Sequence, residues 1–289
     1  MQQEPVKFKQ VRDFGDIFNA TFSFIGAEYK NLGKAVLYYA LPFLIITAIS
    51  GVLLSIEQQK FYSSAMFTGA ADLNSSFSAM ADIYKYTFLI LFAYMIGMSM
   101  LQCTLYSYIK LYVNKGKDQF TVEDVWHEMK KYIVPVIGIS ILLGILIFIG
   151  MVLCLLPGII LAVYLSLIFP AYIFEDRGFG DSFSRSFQLT GQKWWMTLGL
   201  IIVSFIMVYM IAILFSIPAM LLGFKSMFAS LQNYKPVEFS TAFYIVNSIT
   251  SLITYVVFSI PSIIMAFHYF SMVEVKERPS LHEKIEQIG

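Results

Sequence analysis

Charge is the scarcest commodity in this 289-residue sequence: Asp, Glu, Lys and Arg together make up 13% of it. A water-soluble domain carries about 25%, so a soluble fold is excluded at the outset. The balance is as uninformative as the amount is small. Twenty basic residues against 19 acidic ones leave a net charge of +1, which excludes the basic footprint of a nucleic-acid binder. Cysteine is nearly absent as well, with Cys103 and Cys154 alone, both inside apolar runs, so no disulfide framework exists. Histidine is limited to three residues, and none forms an H-E-x-x-H motif; G-x-S-x-G and Walker-type glycine loops are also missing. What fills the space is apolar: 58% hydrophobic residues, 27 Phe and 18 Tyr.

That material is arranged in long uncharged runs. A hydrocarbon core ~30 Å thick needs about 20 apolar helical residues, and six such stretches are present. They cover 35–56, 86–109, two parts of 133–174, 196–217 and 242–270. The run 133–174 would reach ~63 Å as one helix, twice the core, so it must fold back. Leu156-Pro157-Gly158 is the expected turn, and the fourth span then runs 159–174. Pro261 is expected to kink the sixth span.

Sixteen of the 20 basic residues fall in the amino-terminal segment, the segments after the second and fourth spans, and the tail. Positive charge is retained on the cytoplasmic side, which predicts both termini there. Trp194 and Trp195 read as an interfacial anchor at the start of the fifth span. A charged stretch of 34 residues precedes the first apolar run, so no cleavable signal peptide is expected. The stretches 57–85 and 219–241 are expected outside the spans as external segments, and 273–289 as a cytoplasmic tail.

The segments preceding the spans resemble one another. Phe14-Gly15-Asp16-Ile17-Phe18, with Phe22 and Gly26, matches Phe179-Gly180-Asp181-Ser182-Phe183, with Phe187 and Gly191, at a constant offset of 165. Val122-Glu123-Asp124-Val125-Trp126 is a weaker third copy. The expected architecture is all-α: one polytopic membrane domain over 1–289, with six transmembrane helices in three repeats (11–112, 120–174, 178–270). Each repeat is an amphipathic interfacial helix followed by a hairpin. In the first, Phe14, Ile17, Phe18, Thr21, Phe22 and Ile25 form the apolar face. Asp16, Asp124 and Asp181 recur where an acid favours a first helical turn.

Chemistry-bearing residues are few. None of the spans holds a central Asp, Glu, Lys or Arg, which argues against an ion-coupled pump. Gln102 and Asn247, the strongly polar side chains within spans, are read as hydrogen-bonding glue between helices. His268 is expected to cap or snorkel at a span end. Ala93/Gly97 and Ser140/Gly144 suit close helix packing. No nucleophile, general base or metal-ligand constellation appears, so no catalytic, cofactor or metal site is assigned.

Leu156-Pro157-Gly158, Phe169-Pro170, Phe174-Glu175-Asp176-Arg177-Gly178 and the stretch Asp181 to Gly191 resemble a bacterial membrane family. It is the membrane domain of glycerophosphoryl diester phosphodiesterase together with related six-span proteins. The resemblance, carried by residues 156–200, implies a bacterial cytoplasmic membrane protein. In fused members of that family the hydrolase is a separate soluble domain, which the 17-residue tail cannot contain. Glu175 and Arg185 are the matched charged positions, expected to pair and join the fourth span's end to the third amphipathic helix. The expected role is a non-enzymatic scaffold or lipid-interacting component. The alternative is a transporter or flippase of a lipid-like or uncharged substrate. Expected partners are membrane lipids and a protein at the cytoplasmic interface, with no nucleic acid.

Overall fold

The computed structural model describes residues 5–67, 73–234 and 237–277, and among them every regular element is helical. The helices are α1 (Phe14–Tyr39), α2 (Leu41–Phe67), α3 (Leu73–Lys115), α4 (Val122–Met129), α5 (Ile133–Leu153) and α6 (Leu155–Leu165). They continue as α7 (Ile168–Phe174), α8 (Phe179–Thr190), α9 (Trp194–Asn233), α10 (Thr241–Val257) and α11 (Ser259–Glu277).

Six stretches are long and apolar enough to cross a membrane: Leu41–Phe61, Met80–Lys115, Ile133–Leu153, Leu155–Phe174, Trp194–Asn233 and Thr241–Glu277. Where these ranges depart from the sequence expectations, the cause is local. The first begins at Leu41 because Pro42 has no N–H to donate and disfavours helical continuity before it; residues 35–39 belong to α1, which runs 26 residues. The turn in the long apolar run falls at Cys154, whose backbone is extended, so Pro157 and Gly158 lie within the first turn of α6. The fourth span is two helices, α6 and α7, and the sixth breaks at Phe258, three residues before Pro261.

The expected external segments are largely helical. Thus α2 extends to Phe67, α3 starts at Leu73, and α9 passes through Pro218 without a break. At 40 residues α9 reaches about 60 Å, beyond a ~30 Å core. Residues 68–72 of the first external segment, and 278–289 of the expected tail, lie outside the described residues, while 273–277 complete α11.

The helices distribute into two compact units. One contains the described residues of 1–40, 99–207 and 258–289. Its centre is aromatic: Phe8 stacks on Phe267 at 4.2 Å, and Phe24 stands edge-on to Phe8 at 5.1 Å and to Tyr112 at 5.2 Å. Beside it, Ile139, Leu143, Leu165 and Ile168 close the α5–α6–α7 corner. The Ser99 and Ser140 hydroxyls meet at 3.0 Å, whereas Gly144 has open space about it, so only half of that small-residue pair makes a contact.

The other unit contains 41–98 and 208–257. Here α2 lies against α10, and Gly97 lets α3 approach α2 so closely that a Cβ would stand 3.0 Å from Leu44 and 3.2 Å from Thr47. The Thr250 hydroxyl donates to the Phe215 carbonyl at 3.0 Å, fixing α10 against α9.

Candidate functional site

Asp16, Asp124 and Asp181 each occupy the third position of their helices, α1, α4 and α8. In α4 the acid closes a capping box: its carboxylate accepts from the Thr121 N–H at 2.7 Å, while the Asp124 N–H donates back to the Thr121 hydroxyl at 3.2 Å. Those bonds from the Thr121 backbone and hydroxyl hold the Asp124 carboxyl below its ordinary range. Asp13 and Gly178, at the corresponding caps of α1 and α8, make no such side-chain bond.

The buried positions share a register too. The fourth and eighth residues of these helices, and the position three further on, are buried in all three cases: Ile17, Thr21 and Phe24; Val125, Met129 and Tyr132; Ser182, Ser186 and Leu189. This corrects the apolar face expected for α1, where Phe14 and Phe22 are exposed and Phe24 enters the core. In α8 the inversion is stronger, because four of its five buried residues, Ser182, Arg185, Ser186 and Thr190, are polar or charged, Leu189 being the fifth, and Phe179 faces outward.

Glu175 and Arg185 meet as expected. The Arg185 Nε donates to Glu175 Oε1 at 2.9 Å, and its other arm reaches Glu277 Oε1 at 2.6 Å. Tyr269 also donates to Glu175, and Arg177 pairs with the same carboxylate. Burial pulls the Arg185 guanidinium down, but the bonds to Glu277 and Glu175 outweigh it and raise it above its ordinary value. One arginine thereby joins α8 to the ends of α7 and α11.

A second polar cluster went unrecognised in the sequence. Lys110, near the end of α3, lies 2.5 Å from Asp176, 3.0 Å from Glu128 and 2.6 Å from the Tyr132 hydroxyl. Lys131 reaches Glu128 at 2.6 Å. Burial pushes the Glu128 carboxyl up, yet hydrogen bonds from Lys131, Lys110 and Tyr132 prevail and hold it below its ordinary value. Elsewhere in this unit Glu28, 2% exposed, accepts from Tyr108 at 2.6 Å, and His268 is fully buried against the Thr197 hydroxyl at 2.8 Å rather than snorkelling. The available signal was the isolation of Lys110 and Asp176 at the ends of apolar runs, and the position of Glu28 in line with Ile17, Thr21 and Phe24. Lys110, Glu128, Lys131, Tyr132 and Asp176 satisfy one another, which gives them a structural role of joining helix ends, whereas Glu28 Oε1 and His268 Nδ1 are buried without a hydrogen-bond partner. Among the described residues no group of three or more His, Cys, Asp and Glu could hold a metal ion.

Gln102 and Asn247 do not act as the expected glue. The Gln102 amide oxygen is buried without a partner. Asn247 lines a cavity of about 780 Å³ in the unit of 41–98 and 208–257, walled mainly by apolar side chains of α9 and by Phe239 and Phe243. Gly223 admits the Phe243 ring beside α9, where a Cβ would be in contact at 3.4 Å. Gln59 braces the opposite side: its amide donates to the Val237 carbonyl at 2.9 Å, and Tyr244 donates to its oxygen. With no charged residue in the lining among the described residues, this cavity can hold an apolar body and hydrogen-bond a neutral group.

Six apolar spans joined by short connections and interrupted helices define a multi-pass α-helical membrane protein. The chain belongs to a family described as a domain of unknown function, DUF7847, which matches residues 125–271, from α4 into α11. That description carries no link to glycerophosphoryl diester phosphodiesterase. No curated protein and no solved structure matches the chain.

Proposed function

We propose that the protein is a non-enzymatic, lipid-holding component of a bacterial cytoplasmic membrane, with both termini cytoplasmic and α1, α4 and α8 as related interfacial helices. The observation that carries this reading is the 780 Å³ cavity. Its size falls within the roughly 300–1,000 Å³ of small-molecule sites, and its lining is apolar apart from a few neutral polar groups. The matched burial register of α1, α4 and α8, with Phe14, Trp126 and Phe179 exposed, supports three helices of one design that present aromatics to the membrane interface. The likeness of residues 156–200 to the membrane domain of glycerophosphoryl diester phosphodiesterases supports the same location.

Mild-detergent purification followed by mass spectrometry tests the function. The expected result is a lipid retained at about one per chain, in proportions unlike those of the bulk membrane. A lipid content that mirrors the bulk membrane overturns the reading. The native cysteines test the orientation. Cys103 is buried in α3, whereas Cys154 is exposed at the α5–α6 turn, which this topology places on the external face. A membrane-impermeant maleimide should therefore modify Cys154 in intact cells and leave Cys103 untouched. Modification confined to inverted vesicles would reverse the topology.

A further inference from the structure

We propose that the cavity selects an amphiphile with an uncharged, hydrogen-bonding head, such as a diacylglycerol or a long-chain alcohol, and that the Asn247 carboxamide receives that head. The inference rests on the lipid-holding reading and adds the chemistry of the ligand.

Among the described residues, four polar side chains line the cavity: Gln59, Ser216, Ser230 and Asn247. Gln59 is engaged at both ends of its amide by Val237 and Tyr244, and the Ser216 hydroxyl donates to the Ile213 carbonyl at 2.8 Å. Ser230 has a partner as well. The Asn247 side chain, by contrast, makes no hydrogen bond among the described residues; the Ser251 hydroxyl donates to its backbone carbonyl at 2.9 Å. It offers two donors and an acceptor to whatever occupies the space beside it. A hydroxyl matches both sides of that offer, accepting from the amide N–H and donating to its oxygen, and an ester carbonyl accepts from the N–H.

An ionised phosphate does not. Among the described residues no Lys, Arg or His lines the cavity, and seating an anion on an apolar wall without a counter-charge is unfavourable. The nearby charges on α2, Lys60 and Glu57, pair with each other at 2.8 Å and lie outside the lining. The wall suits a chain of variable shape, because Met220 and Met227 are unbranched and adaptable and the Phe239 and Phe243 rings stack at 4.3 Å as a flat floor.

The test uses the full-length protein in phosphatidylcholine nanodiscs carrying, at equal low mole fraction, a chain-diazirine diacylglycerol or a chain-diazirine phosphatidylglycerol. After photolysis, adducts on α9 and α10 peptides are counted. The diacylglycerol probe should label them about tenfold more than the charged probe. Asn247→Leu, which suits an apolar wall, should reduce diacylglycerol labelling about five- to tenfold, the loss expected for one hydrogen bond of ~1–1.5 kcal/mol. Asn247→Gln should retain most of it, and Gly223→Leu, which fills the space beside Phe243, should abolish it. Equal labelling by both probes, unaffected by Asn247→Leu, overturns head selection and leaves lipid holding intact. No labelling of these peptides by either probe overturns both.

Discussion

Arg185→Met should destabilise the protein by about 3–5 kcal/mol, the scale observed when one partner of a buried ion pair is removed. Arg185 is 5% exposed in its side chain and Glu175 16%, so the pair is held where water replaces the lost partner poorly. The carboxylate would keep Tyr269 and the half-exposed Arg177 but lose its bond from α8. The contact to Glu277, 46% exposed, contributes less, about 1 kcal/mol or below. Denaturant unfolding in micelles, followed by the fluorescence of Trp126, Trp194 and Trp195, measures the loss. Arg185→Lys should recover little, because one ammonium cannot direct two arms to Glu175 and Glu277 at once. Glu175→Gln combined with Arg185→Met should be less damaging than the sum of the single changes by about 0.5–3 kcal/mol, the coupling of groups in contact. A single-variant loss under about 0.5 kcal/mol would remove the clamp from the account.

This pair was legible in the sequence because Glu175 and Arg185 are the charged positions carried by the resemblance and stand only ten residues apart. So were the six spans, since an uncharged run of 20 residues is a property of the chain alone. The neighbouring Lys110 cluster was not, because its partners Glu128 and Asp176 come from different elements 18 and 66 positions away. Nothing in the local pattern of Lys110 distinguishes it from a loop lysine counted toward topology. The face of α1 was misjudged for a related reason. Phe14, Phe18 and Phe22 repeat at helical spacing as cleanly as Ile17, Thr21 and Phe24, and in a membrane an apolar stripe can face lipid as well as core. Only the aromatic packing of Phe8, Phe24 and Phe267 decides between them. Asn247 illustrates the limit most sharply: sequence marks it as polar within a span, but whether it bonds a helix or faces a cavity depends on α9 continuing unbroken past Pro218.

Gly158→Ala should lower stability by about 1–3 kcal/mol, and Gly158→Val by more, through overpacking at the α5–α6 turn. A Cβ on Gly158 would sit 2.5 Å from the Met151 Cγ, 2.7 Å from its amide nitrogen and 3.0 Å from its Cα. The thioether can swing aside, but the backbone atoms can yield only if the two helices part. Gly150 stands on the other side of the same seam, where its own Cβ would meet the Gly158 Cα at 3.0 Å. Such backbone proximity is the main resource for joining helices in lipid, where apolar surface gains little by being buried against another helix. Gly144→Ala, on the facing helix α5, is the matched control. With nothing within 4 Å of the added carbon, it should be neutral or stabilising by up to about 1 kcal/mol, the helix-propensity gain over glycine. Thermal unfolding of the two variants should therefore move in opposite directions, or at least diverge clearly. If Gly158→Ala behaves like Gly144→Ala, the close approach of α5 and α6 at this turn is not what holds the hairpin.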